Sequence, residues 1–241
     1  MKTILVSKAS DIPRDPIHGK VTFVYWNIMG LAQAIRLTLA CAKVDWVDVR
    51  IDAGNPTMPD YKKAWTDAKP SLSIPFPNLP YYMDERVKLT QSNTILRYLG
   101  RTHGLMGMRE HETDLFIDQL SDIDGAITRC CYGRGADAVL DLFKEKASAW
   151  LDAFQPFLEK ASGFLSGSEP TVADCKFYVL LQKMSMIQDQ LGNAETAEIL
   201  GKEWIVQYLK RFEAIPSIKD YMDSTNFMKS GMNNPHAKWS G

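Results

Sequence analysis

Hydrophobic residues follow two different patterns along the chain, and the change comes near residue 105. Before it, short β-type runs alternate with helical stretches. Residues 21–25 (VTFVY) read as a buried strand. Gly30 precedes Leu31, Ala34, Ile35 and Leu39, whose i, i+3, i+4 spacing predicts a helix. Residues 44–51 (VDWVDVRI) alternate again, as a second strand. Gly54, Asn55, Pro56 and Pro59 mark a long loop, and residues 75–80 (PFPNLP) hold too many prolines for regular structure. Residues 81–83 and 87–89 flank Asp84-Glu85-Arg86 as a hairpin. Residues 92–101 predict a helix with Ile95, Leu96 and Leu99 inward.

The element order is βαβ, then ββα. After residue 105 the spacing is helical throughout. Phe116, Leu120, Ile123 and Ile127 share one face, as do Phe143, Ala147, Trp150, Phe154 and Phe157, and later Trp204, Tyr208 and Phe212. Thr171 and Asp174 read as a capping box with no catalytic role. Gly104 and Gly107 break the periodicity between the two regions. The pattern therefore predicts an α/β domain over residues 21–103, of thioredoxin-like βαβ-ββα order, followed by an all-α domain over residues 109–225. Residues 1–20 hold one short apolar run, Ile4-Leu5-Val6, with Pro13 and Pro16. They read as an N-terminal extension, flexible or loosely docked. Residues 226–241 form a C-terminal tail.

Composition narrows the function. The 28 basic and 29 acidic residues give a formal net charge of −1, with no basic excess to suit nucleic acid or an anionic membrane. No apolar run approaches the roughly 18 residues of a membrane span, and residues 1–20 lack a secretory apolar core. The cysteines, Cys41, Cys130, Cys131 and Cys175, form no CxxC, and the four histidines have no ligand spacing. The expectation is a metal-free protein of the reducing cytoplasm. In a thioredoxin-like domain, redox members place CxxC where the first strand meets the first helix, because the helix N-terminus lowers a thiol pKa. Here that junction reads YWNIMG, residues 25–30, and offers a tyrosine instead. This argues against a dithiol oxidoreductase.

Three blocks carry a family resemblance: residues 24–36 (VYWNIMGLAQAIR), 76–81 (FPNLPY) and 90–101 (TQSNTILRYLGR). Their order and spacing resemble mu-class glutathione S-transferases, and the likeness extends over about residues 21–225. The resemblance implies an enzyme that conjugates the thiolate of glutathione, its co-substrate, to small hydrophobic electrophiles, as a detoxifying homodimer. A glutathione-dependent isomerase or peroxidase, or a non-catalytic carrier of hydrophobic ligands, is the rival reading on the same scaffold.

The physics of such a site is open to argument beside the resemblance. A free thiol has a pKa of about 8.5 and is mostly protonated at neutral pH, so the enzyme must favour the thiolate. Tyr25, with an ordinary pKa of about 10, would remain protonated and donate a hydrogen bond to the sulfur. Gln91 and Ser92 open a helix whose free N–H groups favour an anion, and the resemblance implies that they hold the γ-glutamyl carboxylate. Ser92 is also an N-cap residue type. Pro80 matches a cis-proline that would turn the Leu79 backbone toward the cysteinyl amide. Trp65 and Lys69, spaced i, i+4, match contacts to the glycyl end, with Lys69 on its carboxylate and Asn78 beside them. Trp26 and Leu31 match further glutathione contacts.

Other positions are implied by the resemblance alone. Asp122 matches an aspartate that reaches the partner subunit's glutathione amine. Tyr132 matches a second tyrosine that donates a proton in some additions; read without the resemblance, it is a core aromatic at a helix end. Ser121 and Thr128 fall at electrophile-side positions and are more polar than the family pattern. Phe76 matches an aromatic key into the partner's helical domain, and Arg97 and Arg101 match residues at the dimer axis. Asn27 and Met29 stand where the family usually has Asp and Arg.

Overall fold

The computed structural model describes residues 1–160 and 163–241. The N-terminal domain is built on a five-stranded mixed sheet. Its strands are β1 (Lys2–Val6), β2 (Val21–Trp26), β3 (Trp46–Ile51), β4 (Tyr81–Met83) and β5 (Lys88–Thr90), in the order β1-β3-β2-β4-β5. β3 runs parallel to both β1 and β2, with Val49 opposite Ile4 on one side and Val24 on the other. β4 is antiparallel to β2, and β5 to β4. Every residue of β3 is buried, as expected of a central parallel strand covered on both faces. Helix α1 (Gln33–Cys41) crosses from β2 to β3. A short α2 (Lys63–Ala68) follows β3, and α3 (Ser92–Thr102) follows the hairpin.

The N-terminal extension is not a loose arm. Residues 2–6 form the edge strand β1, and the segment behind it is tied to the sheet. The Tyr81 hydroxyl donates to Pro13 O (2.7 Å), Arg14 to Ser71 (2.8 Å), and Lys88 to the Asp15 carboxylate (2.7 Å). Three apolar residues are too few for a periodicity signal. What recruits them is β3, a wholly buried strand that needs a ladder partner on its outer side.

The C-terminal domain is helical: α4 (Glu110–Gly133), α5 (Ala136–Asp152), α6 (Gln155–Lys160), α7 (Val172–Leu191), α8 (Ala194–Leu200), α9 (Glu203–Glu213) and α10 (Pro216–Asp223). The capping box that starts α7 is present. Asp174 Oδ2 accepts from the Thr171 N–H (2.8 Å) and hydroxyl (2.7 Å), while Oδ1 accepts from Leu165 N–H (2.9 Å). Full burial pushes the Asp174 pKa up. α7 packs on α1, α3 and α4, so it is the spine between the two domains. No helix among the described residues is long and apolar enough to cross a membrane.

Two further features support the site. A buried charge cluster joins α1 to β3. Arg36 Nε donates to both Asp48 oxygens (3.2 and 3.0 Å), and Arg50 Nε donates to Asp48 Oδ2 (2.7 Å). Arg36 then holds Ile28 O (2.9 Å), and Arg50 holds Asn226 O (2.5 Å). The tail is the second feature. Met29 N–H donates to Gly231 O (2.9 Å), Gly30 N–H to Met232 O (3.1 Å), and Trp239 N–H to Cys131 O (3.1 Å). The tail is thereby laid across the loop that follows β2 and the end of α4.

Candidate active site

Tyr25 ends up at the C-terminal end of β2, paired with Arg50 across the ladder, and is 7% exposed. The chain turns sharply after it. Gly30 has φ +41°, and a Cβ there would lie 2.7 Å from the Tyr25 hydroxyl. Glycine is required by both the backbone angle and the close approach. The turn aims Leu31 N–H at the Tyr25 oxygen (3.3 Å). The hydroxyl thus accepts one hydrogen bond, and among the described residues its own proton has no acceptor. Burial pushes the Tyr25 pKa up to about 12, so the group stays neutral in ordinary solution. It is a buried, neutral hydroxyl at the turn that leads from β2 into α1.

Around it, Trp26 meets Trp65 edge-on (centroids 6.5 Å), and Trp65 stacks on Tyr81 (6.3 Å). Lys69 is exposed and continues the helical backbone of α2. The Leu79–Pro80 peptide bond is cis. The Leu79 N–H is already taken by Asn78 Oδ1 (2.9 Å), so of the backbone groups at Leu79 the carbonyl is the one left open among the described residues. Gln91 has φ +69° and occupies the cap of α3 without a side-chain capping bond. Ser92 is therefore the first helical residue rather than the cap. The first intrahelical bond runs from Ile95 N–H to Gln91 O (3.0 Å), which leaves the N–H groups of residues 92–94 pointing out of the helix end. A backbone held in this sparsely populated region, beside helix N–H groups without intrahelical partners, is the kind of strain found at ligand sites.

Helix α4 divides its residues between two tasks. Asp122 is exposed. Thr128 and Tyr132 are one turn apart and half-buried, and Tyr132 meets the tail. The Tyr132 oxygen accepts from Asn234 N–H (3.0 Å), and its ring lies 5.0 Å from His236. Ser121 does not face the electrophile side in this way. Its hydroxyl donates to Ile117 O (2.7 Å) and accepts from Asn93 Nδ2 (2.9 Å), so it straps α4 to the first turn of α3. A helical wheel separates faces but cannot see which neighbouring helix claims a hydroxyl.

The residues expected at a dimer interface divide in the same way. Phe76 is 83% exposed on a backbone with φ +52°, an apolar ring with nothing of its own chain to cover it. Arg97 pairs with Asp114 (2.7 Å) and Asp118 (2.6 Å), and Arg101 with Glu110 (3.0 Å) and Asp114 (3.3 Å). Both arginines are engaged with α4 of the same chain.

Sequence reasoning passed over Lys62 and His236. The Lys62 ammonium sits 5.7 Å from the Trp26 ring centre and 3.5 Å from His236 Nδ1, which also meets the Tyr61 hydroxyl at 2.6 Å. Burial lowers the pKa of both Lys62 and His236. One lies in a proline-rich loop and the other in an aperiodic tail, so neither carried a pattern. All four cysteines are free thiols. Among the described residues, no group of three or more His, Cys, Asp or Glu side chains could hold a metal ion.

A sheet of this order, a cis-proline before its hairpin and an all-helical second domain define the thioredoxin-like transferase architecture. Solved structures agree in fold: a transferase titled Blo t 8 superposes with TM-score 0.75 at 22% identity, over 91% of this chain and 100% of that one. The pi-class enzyme of Onchocerca volvulus gives 0.74 at 22%, over 90% and 99%. The family profile described as glutathione S-transferase, N-terminal domain, matches residues 21–101, and that for the C-terminal domain matches residues 121–225. The chain belongs to the glutathione S-transferase family. Among its curated relatives, glutathione S-transferase Mu 3 of Macaca fuscata fuscata is 34% identical over 223 residues, covering 89% of this chain and 93% of the relative. Glutathione S-transferase 2 of Gallus gallus is 37% identical over 214 residues, covering 87% and 93%. The chain is accordingly a glutathione transferase, with glutathione as its substrate.

Proposed function

We propose that the enzyme conjugates glutathione to small hydrophobic electrophiles, with Tyr25 as the residue that stabilises the thiolate. The observation that carries this is the Tyr25 hydroxyl: buried, neutral, held from behind by Leu31 N–H, with its proton free. A charge-assisted hydrogen bond of this kind contributes about 1.5–3 kcal/mol, enough to lower a thiol pKa by one to two units. The thiol proton leaves to solvent. The sulfur then attacks the electrophilic carbon, the S–C bond forms, and the leaving group departs with its electron pair. No covalent enzyme intermediate is needed; proximity and the fixed donor supply the acceleration.

In this reading the γ-glutamyl carboxylate sits on the N–H groups at Gln91 and Ser92. The cysteinyl N–H pairs with the open Leu79 carbonyl beside cis-Pro80 and Asn78. Lys69, with Trp65, receives the glycyl end, and Trp26 and Leu31 make further contacts to glutathione. The electrophile lies between the loop after β2, Thr128 and Tyr132 of α4, and the tail. The exposed Phe76 supports a homodimer in which Asp122 completes the partner's glutathione site, working in the cytoplasm. Conjugation of chlorodinitrobenzene by wild type and Tyr25→Phe tests the assignment. A rate loss of about tenfold or more is expected. Equal rates would remove Tyr25 from the mechanism, and bound glutathione without turnover would make the protein a carrier.

A further inference from the structure

A half-buried ammonium with no carboxylate in direct contact among the described residues lies behind the end of α3. Lys176, on α7, reaches across the domain boundary and donates to Asn93 Oδ1 (3.0 Å). Asn93 in turn donates to Ser121 (2.9 Å). The three residues bind α7, α3 and α4 at one point, in the first turn of α3. The carboxylates nearest to Lys176 are each held by another cation. Lys183 holds Asp124 (2.5 Å), and Arg97 holds Asp118 (2.6 Å) and Asp114 (2.7 Å). Among the described residues, Lys176 has no carboxylate within 4 Å and one hydrogen-bond partner, although an ammonium carries three donors. It lines a small cavity of about 20 Å³ with Gly30, Leu31 and Lys183.

We infer that Lys176 is a positioning residue for glutathione: its ammonium, held on Asn93, supplies the positive charge behind the γ-glutamyl carboxylate at Gln91 and Ser92. The inference rests on the placement of that carboxylate at the α3 end, proposed above. A charge removed from water interacts over several ångströms at low effective dielectric. An anion bound within one helical turn would give Lys176 a direct partner, which Asp124 and Asp118, each held by another cation, do not. Burial pulls its pKa down to about 8, as expected of an ammonium short of a partner. Asn93 serves as the spacer that fixes its distance from the helix end.

The test is steady-state kinetics with chlorodinitrobenzene, using glutathione and 4-aminobutyryl-cysteinyl-glycine, which keeps the amine and thiol but lacks the α-carboxylate. K176M is expected to raise KM for glutathione on the order of tenfold with little change in kcat. K176R should restore most of the loss, and K176Q, which keeps a donor for Asn93 but no charge, should not. With the decarboxylated peptide, wild type and K176M should have the same KM. An unchanged KM in K176M, full recovery in K176Q, or an equal penalty with both peptides would overturn the inference. If wild type itself makes no distinction between the two peptides, the carboxylate is not at the α3 end, and the site reading fails together with the inference.

Discussion

Asp48 is the residue whose removal should cost the fold most. Its carboxylate is fully buried and is the shared acceptor for the Nε groups of Arg36 and Arg50. Asp48→Ala would leave two buried guanidinium charges without an anion. The Arg36 Nη2 atom already lacks a partner among the described residues, so no spare acceptor stands ready. Breaking a buried ion pair in this way costs about 3–5 kcal/mol, a large share of the roughly 5–15 kcal/mol that holds a typical domain together. Asp48→Asn keeps an oxygen acceptor but loses the charge, and should fall between wild type and Asp48→Ala. Urea unfolding at fixed protein concentration measures this as a lower midpoint with an unchanged slope. A loss below about 1 kcal/mol would refute the reasoning. The same variant should lose turnover before it unfolds, because Arg36 holds Ile28 O in the loop after β2 and Arg50 holds Asn226 O at the root of the tail.

Three further outcomes follow from the site. Gly30→Ala should cut turnover by on the order of tenfold or more, because its Cβ falls 2.7 Å from the Tyr25 hydroxyl and forces the donor out of place; wild-type rates would contradict that placement. The raised Tyr25 pKa of about 12 means that the neutral donor persists throughout the usual assay range. The rate should therefore rise with pH as bound thiol ionises and fall only as Tyr25 loses its proton near pH 12; a decline beginning below about pH 10 would give Tyr25 an ordinary pKa. Phe76→Ser should run at half the mass of wild type on sedimentation if the exposed ring is a dimer key; an unchanged mass would count against it.

Much of the first domain was legible because its signals are local. A strand of VTFVY, a glycine before a helix and a proline cluster before a hairpin each specify their own geometry, and the motif blocks fixed their order. The capping box at Thr171 and Asp174 came through for the same reason, whereas the cis bond at Pro80 came through the family resemblance. What escaped was decided by distant partners. Residues 2–6 become a strand because β3 offers an edge. Ser121 turns to α3 because Asn93 is there. Arg97 and Arg101 are claimed by carboxylates of α4. The tail has no periodicity, since it is held by backbone bonds to Met29, Gly30 and Cys131 rather than by an apolar stripe. Lys176 on α7 carries no pattern of its own in the sequence; the fold sets it on Asn93 of the other domain.

The account rests on a single hydrogen bond from Tyr25 to the glutathione sulfur. Titration of enzyme-bound glutathione by its thiolate ultraviolet absorbance, in wild type and Tyr25→Phe, tests that bond without any electrophile. The bound thiol should ionise one to two pH units lower in wild type than in Tyr25→Phe, as expected for a hydrogen bond of about 1.5–3 kcal/mol. Coincident titration curves in two variants that bind glutathione equally well would contradict it.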